Sequence, residues 1–114
     1  MLLVEDDPAT AGALHSILSR KGWVVTVAGT LAEALVQIRQ PPPDWVVLDL
    51  MLPDGDGLAL LRKIRSDRLD VRVAVTTGSA DGSQLDAVLE LGPELFLTKP
   101  IDLLDLLNGL SGCA

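Results

Sequence analysis

Four charged residues stand where apolar runs stop. Glu5 and Asp6 follow Leu2-Leu3-Val4, Asp49 follows Trp45-Val46-Val47-Leu48, and Lys99 follows Leu95-Phe96-Leu97-Thr98. A charge at the end of a buried segment is rarely kept unless it is paired, bound to metal or used in chemistry. If these ends meet, Glu5, Asp6 and Asp49 place up to three carboxylates around one crevice. Two like charges about 4 Å apart repel by about 4 kcal/mol at an effective dielectric of about 20. Such a cluster raises a pKa or recruits a cation, and an all-oxygen set suits Mg²⁺ held by one or two carboxylates plus waters. Zinc and copper fit poorly, because His15 is the only histidine and Cys113 the only cysteine. Lys99 adds a fixed positive charge, and Thr77 adds a hydroxyl donor. A metal, a lysine and a hydroxyl around one carboxylate suit a transferring phosphoryl group, with Asp49 as the nucleophile that forms an acyl phosphate.

The elements that must carry these residues alternate. Leu2 to Glu5 reads as a first strand. Asp7-Pro8 supplies an N-cap and first-turn proline for a helix with Leu14, Ile17 and Leu18 on one face, stopped at Gly22. Trp23 to Ala28 is a β-branched second strand. Thr30 and Glu33 form a capping box for a second helix, with Leu31, Ala34, Leu35 and Ile38 on one face, ended by Pro41-Pro42-Pro43. Trp45 to Leu50 is the third strand. Asp56 caps a third helix striped by Leu60, Leu61 and Ile64. Val71 to Thr76 is the fourth strand, followed by a helix marked by Leu85, Val88 and Leu89 and closed by Gly92-Pro93. Leu95 to Leu97 is a short fifth strand, and Asp102 caps a last helix with Leu103, Leu106, Leu107 and Leu110 inward. The third and fourth strands are continuous apolar runs, which predicts a parallel sheet covered on both faces. With right-handed crossovers this is an α/β, doubly wound (βα)5 domain. Ligands of such sheets bind at the carboxyl ends of the strands, where Glu5, Asp6, Asp49, Thr77 and Lys99 all fall.

Composition narrows the function. A chain of 114 residues that is 48% hydrophobic predicts one domain, 1–114, with no output domain in this chain. The net charge of −7 and 3% aromatic content argue against direct nucleic-acid binding. No apolar run reaches the roughly 18 residues needed to cross a membrane. The lone Cys113 excludes an internal disulfide framework, reads as an idle thiol and points to a reducing, cytoplasmic setting.

Four segments together resemble the receiver domain of two-component response regulators: Leu2-Leu3-Val4-Glu5-Asp6-Asp7, the run from Val47 through Asp49 to Gly57, Val75-Thr76-Thr77-Gly78, and Phe96-Leu97-Thr98-Lys99-Pro100. Any one segment is weak; the set, in this order, is specific. The resemblance implies the flavodoxin-like strand order 2-1-3-4-5, an order for which a member of this family serves as the standard example. It implies that Asp49 accepts a phosphoryl group from a sensor histidine kinase or phosphotransfer protein. Glu5 and Asp6 would position Mg²⁺ (Mn²⁺ could substitute), with Asp6 the direct ligand and the Met51 backbone carbonyl completing the protein ligands. Thr77, preferred over Thr76 by its spacing, would be the switch hydroxyl and Phe96 the aromatic that follows it. Lys99 would pair with the phosphoryl group, aimed by a cis bond before Pro100. The implied protein is a signalling switch, not a metabolic enzyme.

The chain departs from the family pattern where Gly78 replaces a usual alanine, opening access to Asp49 beside Met51. Pro93 also replaces an alanine, the first strand is short at Met1, and the last helix ends early at Gly109 and Gly112. Blander readings hold for Asp7, a helix cap; for His15, an exposed side chain; and for Trp23 and Trp45, packing residues. Asp54-Gly55-Asp56-Gly57 is a turn and cap, since a calcium loop would need an acid where Leu50 or Leu52 stands. A haloacid dehalogenase-type phosphatase would want a second acid at Met51. A flavodoxin-like nucleotide or flavin domain would want a glycine-rich loop at Glu5-Asp6-Asp7-Pro8. A degenerate, unphosphorylated receiver would keep the fold as a protein-binding module. The leucine-rich last helix predicts a homodimer or downstream-partner surface on the side of the fourth helix, fifth strand and fifth helix, through Leu104 or Leu106.

Overall fold

The structure is a computed structural model that describes residues 1–39, 41–78 and 82–112; Cys113 lies outside them. In chain order the elements are β1 (Leu2–Val4), α1 (Pro8–Arg20), β2 (Thr26–Ala28), α2 (Leu31–Gln37), β3 (Trp45–Asp49), β4 (Met51–Leu52), β5 (Gly55–Asp56), α3 (Leu58–Ser66), β6 (Arg72–Thr77), α4 (Gly82–Leu91), β7 (Leu95–Thr98) and α5 (Leu103–Gly112). The main sheet has the order β2-β1-β3-β6-β7, all parallel. This is the expected 2-1-3-4-5 order once the small antiparallel β4–β5 ladder is set aside.

Successive strand residues point to opposite faces. Leu2, Val4, Val46, Leu48, Val73 and Val75 therefore meet Ala34, Ile38, Leu60, Leu61, Ile64 and Val88 of α2, α3 and α4 or their ends. Leu3, Val47 and Ala74 meet Ala11, Leu14, Leu18, Leu106 and Leu110 of α1 and α5. With both faces covered, β3 is buried from end to end, which is why its sequence does not alternate. Gly22, at φ +95°, turns the chain out of α1, a conformation that costs glycine least.

Several sequence expectations are corrected. The second strand starts at Thr26, not Trp23, because it pairs only with β1, whose first partner is Leu2↔Thr26. Asp7 is the N-cap residue of α1, as expected, and its carboxylate accepts the Thr10 hydroxyl at 2.6 Å. Leu89 is 58% exposed, since Val88, Ala87 and Leu91 fill the core side of α4. On α5, Leu106 is wholly buried and cannot serve a partner surface, while Leu103 and Leu104 are 37% and 70% exposed. Leu104 lies beside Lys21 and Trp23, on the α1 flank of α5 and not on the α4–β7 flank. The rotation is set by Gly109, where an added Cβ would lie 2.4 Å from the Leu95 side chain, so α5 rests its glycine edge on β7.

Arg65 of α3 joins three segments. Its Nε donates to the Leu91 carbonyl at 2.9 Å, Nη1 to Val71 at 3.3 Å and Nη2 to Gly92 at 3.0 Å. It also pairs with Glu94 at 3.2 Å, and Glu94 accepts the Val73 N–H at 2.6 Å. Arg65→Ala is expected to lower stability by about 2 kcal/mol, since it leaves carbonyls at the end of α4 without a donor. A urea unfolding series would show this, and a loss under about 0.5 kcal/mol would contradict it.

Candidate functional site

Four parallel strands deliver the site from their carboxyl ends. Glu5 and Asp6 follow β1, Asp49 ends β3, Thr77 ends β6 and Lys99 follows β7. The ladders run on past the strands: Glu5 N–H donates to Ala28 at 3.0 Å and Lys99 N–H to Thr77 at 2.8 Å, which fixes both backbones. The charged ends do meet. One carboxylate oxygen from each of Glu5, Asp6 and Asp49 lies within 4.8 Å of the others. Lys99 Nζ donates to Glu5 Oε1 at 2.9 Å and to Asp49 Oδ2 at 3.0 Å. Asp49 Oδ1 accepts the Met51 N–H at 3.0 Å. Glu5 and Asp49 are each 3% exposed, whereas Asp6 is open to solvent. The Lys99–Pro100 bond is cis.

Burial, then the hydrogen bond and charge of Asp49, push the Glu5 carboxyl up to about 7 against the pull of Lys99. Burial works against the Lys99 ammonium, but Glu5 and Asp49 outweigh it and hold its pKa above the ordinary value. Folded Glu5 keeps its proton to about pH 7, while the unfolded group loses it near 4.5. Between those values the folded state binds more protons, so this contribution is full below the lower value and is lost as pH rises through the upper one. Protein in chelator is therefore expected to show a falling urea midpoint from pH 5 to pH 7.5. A flat or rising midpoint would contradict it.

The two threonines are separated by strand parity. Thr77 shares its face with Val75, and Val75 pairs with Phe96 across the β6–β7 ladder. Phe96 packs, half-buried, on the α4 side of the sheet. Thr76 points the other way and its Oγ1 donates to the Leu48 carbonyl at 3.4 Å. The Thr77 Oγ1 is buried and has no hydrogen-bond partner among the described residues. Beyond it, among the described residues a Cβ on Gly78 would meet only Lys99 Cδ, at 4.0 Å, and Met51 is 60% exposed. Among those residues this rim of the site is open.

Sequence reasoning missed the part played by the loop after Asp49. Gly57 has an ordinary helical backbone, yet a Cβ there would lie 2.4 Å from the Asp49 carbonyl oxygen. Asp56 accepts the Leu58 N–H at 2.9 Å, so it caps α3 from one residue before the N-cap position. Asp54 reaches across to α2, accepting the N–H groups of Leu31 at 2.7 Å and Ala32 at 3.0 Å. The only sequence signal for that contact is that a Thr30–Glu33 cap leaves other first-turn N–H groups open.

A hard divalent cation fits the residues present. The donors are all oxygen, three carboxylates converge, and Glu5 Oε2 is buried with no partner among the described residues.

A five-stranded parallel α/β sheet with an acidic crevice at the carboxyl ends of its strands defines the class of domain. Residues 1–111 match the response regulator receiver domain, and the chain belongs to that family, the receivers of two-component systems. It is 39% identical over 114 residues to the transcriptional regulatory protein TrcR of Mycobacterium tuberculosis, covering 98% of this chain and 44% of that one. It is 34% identical over 110 residues to the acid tolerance regulatory protein ActR of Rhizobium meliloti, covering 96% and 57%. The chain thus spans about half the length of these relatives. Among solved structures, a CheY-like receiver from Methanospirillum hungatei superposes with a TM-score of 0.91 at 30% identity, covering 97% of this chain and 89% of that one. A response regulator from Burkholderia pseudomallei, solved with a phosphorylated aspartic acid, a calcium ion and citrate, gives 0.85 at 28% identity, covering 96% and 64%. No helix among the described residues is long and apolar enough to cross a membrane.

Proposed function

We propose that this domain takes a phosphoryl group on Asp49 from a histidine of a sensor kinase or phosphotransfer protein, with Mg²⁺ bound, and signals by changing its surface. One observation carries the reading: three carboxylates within 4.8 Å of one another, two of them buried and bridged by Lys99. The phosphorylated aspartate and calcium of the Burkholderia pseudomallei relative support it.

Asp6, Asp49 and the Met51 carbonyl would hold the metal, with Glu5 behind them. When bound, Mg²⁺ supplies positive charge opposite the phosphoryl oxygens and offsets the repulsion among the carboxylates. An Asp49 oxygen attacks phosphorus, the phosphorus–nitrogen bond to the donor histidine breaks, and its electron pair leaves with the imidazole. Lys99 stays close enough to pair with a phosphoryl oxygen. Thr77 has a buried hydroxyl to offer another oxygen, and its face of the sheet is that of Phe96. A Thr77 that turns toward the phosphoryl group vacates space toward Phe96, and the two changes bias the α4–β7–α5 surface that a partner reads. The chain is then a cytoplasmic signalling switch whose only catalysis is on itself, and it works as the regulatory part of a transcriptional response, as the names of its relatives suggest.

The test is incubation with Mg²⁺ and acetyl phosphate, with mass spectrometry for a phosphate adduct and Asp49→Asn as control. An adduct in the wild type alone is expected. A folded wild type that takes neither phosphate nor beryllofluoride is a degenerate receiver, and the proposal is wrong. The open rim predicts a further result: Gly78→Val slows adduct formation or loss by about tenfold, because the site is left with a narrower approach. Equal rates in both directions would reject the access argument.

A further inference from the structure

We infer that Asp54 is a positioning residue for the metal side of the site: it straps the hairpin bearing Met51 to the start of α2 and so holds the Met51 carbonyl in place. The inference rests on the reading of Met51 as a metal ligand.

Asp54 sits in the turn between β4 and β5, where Leu52 pairs with Gly55 and Met51 with Asp56. An isolated ladder of that length has little stability of its own. Its orientation must come from contacts outside it. Both Asp54 oxygens are engaged by main-chain N–H groups of α2, at 2.7 and 3.0 Å, from residues 23 and 22 positions away. These N–H groups belong to the turn that a helix cannot satisfy internally, and Thr30 Oγ1 accepts the Glu33 N–H instead. They hold the Asp54 carboxyl below the usual range. A second contact points the same way: a Cβ at Gly55 would stand 3.0 Å from Leu31 Cδ2, so the turn lies flat on the first residue of α2. On the other side, Gly57 N–H donates to Leu50 at 2.8 Å and Asp56 caps α3. The hairpin is therefore a strap between the starts of two helices, with Asp54 as its α2 anchor. Met51 lies on that strap, and its N–H is already spent on Asp49 Oδ1.

Groups that orient metal ligands typically change metal affinity by 10- to 100-fold when removed. The test compares Asp54→Ala with Thr30→Ala, which removes the other α2 cap without touching the hairpin. Circular dichroism establishes that each variant is folded, and Asp54→Asn, which keeps one acceptor oxygen, serves if the alanine variant is not. Two quantities are read: amide exchange at Met51 in metal-free protein, and the Mg²⁺ dissociation constant by NMR titration. Asp54→Ala is expected to speed Met51 exchange and weaken Mg²⁺ binding about tenfold. Thr30→Ala is expected to leave both within twofold of wild type. Unchanged Met51 exchange and Mg²⁺ affinity in Asp54→Ala, or an equal loss in Thr30→Ala, overturns the strap. A wild type that binds no Mg²⁺ overturns the metal reading itself, a result distinct from either.

Discussion

Gly57→Ala is expected to cost the domain about 3 kcal/mol or more, although it adds only one methyl group, at a buried position after an exposed turn. The added Cβ would stand 2.4 Å from the Asp49 carbonyl oxygen, 3.0 Å from Leu50 Cα and 3.1 Å from Leu48 Cδ1. The first two are backbone atoms at the end of a strand buried on both faces, so they cannot rotate away. Relief requires moving either the start of α3 or the strand that carries Asp49. The Gly57 N–H to Leu50 carbonyl bond, at 2.8 Å, would be lost with it. The glycine is needed for space and not for its dihedral angles, since φ −56° suits any residue. Urea unfolding measures the cost, and acetyl phosphate kinetics are expected to fall with it. A loss below about 1 kcal/mol would mean that the turn relaxes where the packing says it cannot.

Lys99→Met is expected to show a pH-dependent loss of stability in chelator, about 3 kcal/mol at pH 8 and markedly less at pH 5. Removing one partner of a buried ion pair costs about 3–5 kcal/mol, because the remaining charge stays desolvated. The low end applies here, since the lysine side chain is 29% exposed. Glu5 sets the pH trend. Even with Lys99 present its carboxyl is pushed up to about 7, and without the lysine it rises further. At pH 5 Glu5 is protonated and hides the missing charge; as pH rises it must ionise beside Asp49, so the penalty grows. Millimolar Mg²⁺ is expected to restore part of the stability at pH 8 but not the reaction, with adduct formation slower by about 10²- to 10³-fold. Chemical unfolding at the two pH values and mass spectrometry of the adduct decide it. A penalty that is flat with pH would place the repulsion elsewhere.

Charge at strand ends is legible in one dimension because a buried parallel strand is a continuous apolar run, and its end is the first place a charge can appear. That is why Glu5, Asp6, Asp49 and Lys99, the alternation of strands and helices, and the α3 stripe of Leu60, Leu61 and Ile64 were all readable. Residue types alone predict an acidic, lysine-bearing crevice once the ends are assumed to converge, and the ends do converge.

Three matters were decided only by the tertiary structure. Thr77 and Thr76 are adjacent and chemically alike. Only the pairing of Val75 with Phe96 shows that Thr77 shares the Phe96 face and that Thr76 is turned to the other. The faces of α5 depend on how the helix is rotated against β7, and a close approach at Gly109 sets that rotation; leucine spacing could not tell buried Leu106 from exposed Leu104. Asp54 reads locally as a turn acid, and its bond to α2 joins residues 23 positions apart. Periodicity encodes which residues share a face within one element. It carries no information on how two elements are turned toward each other, and that is what placed Thr77 on the Phe96 face, exposed Leu104 and brought Asp54 to α2.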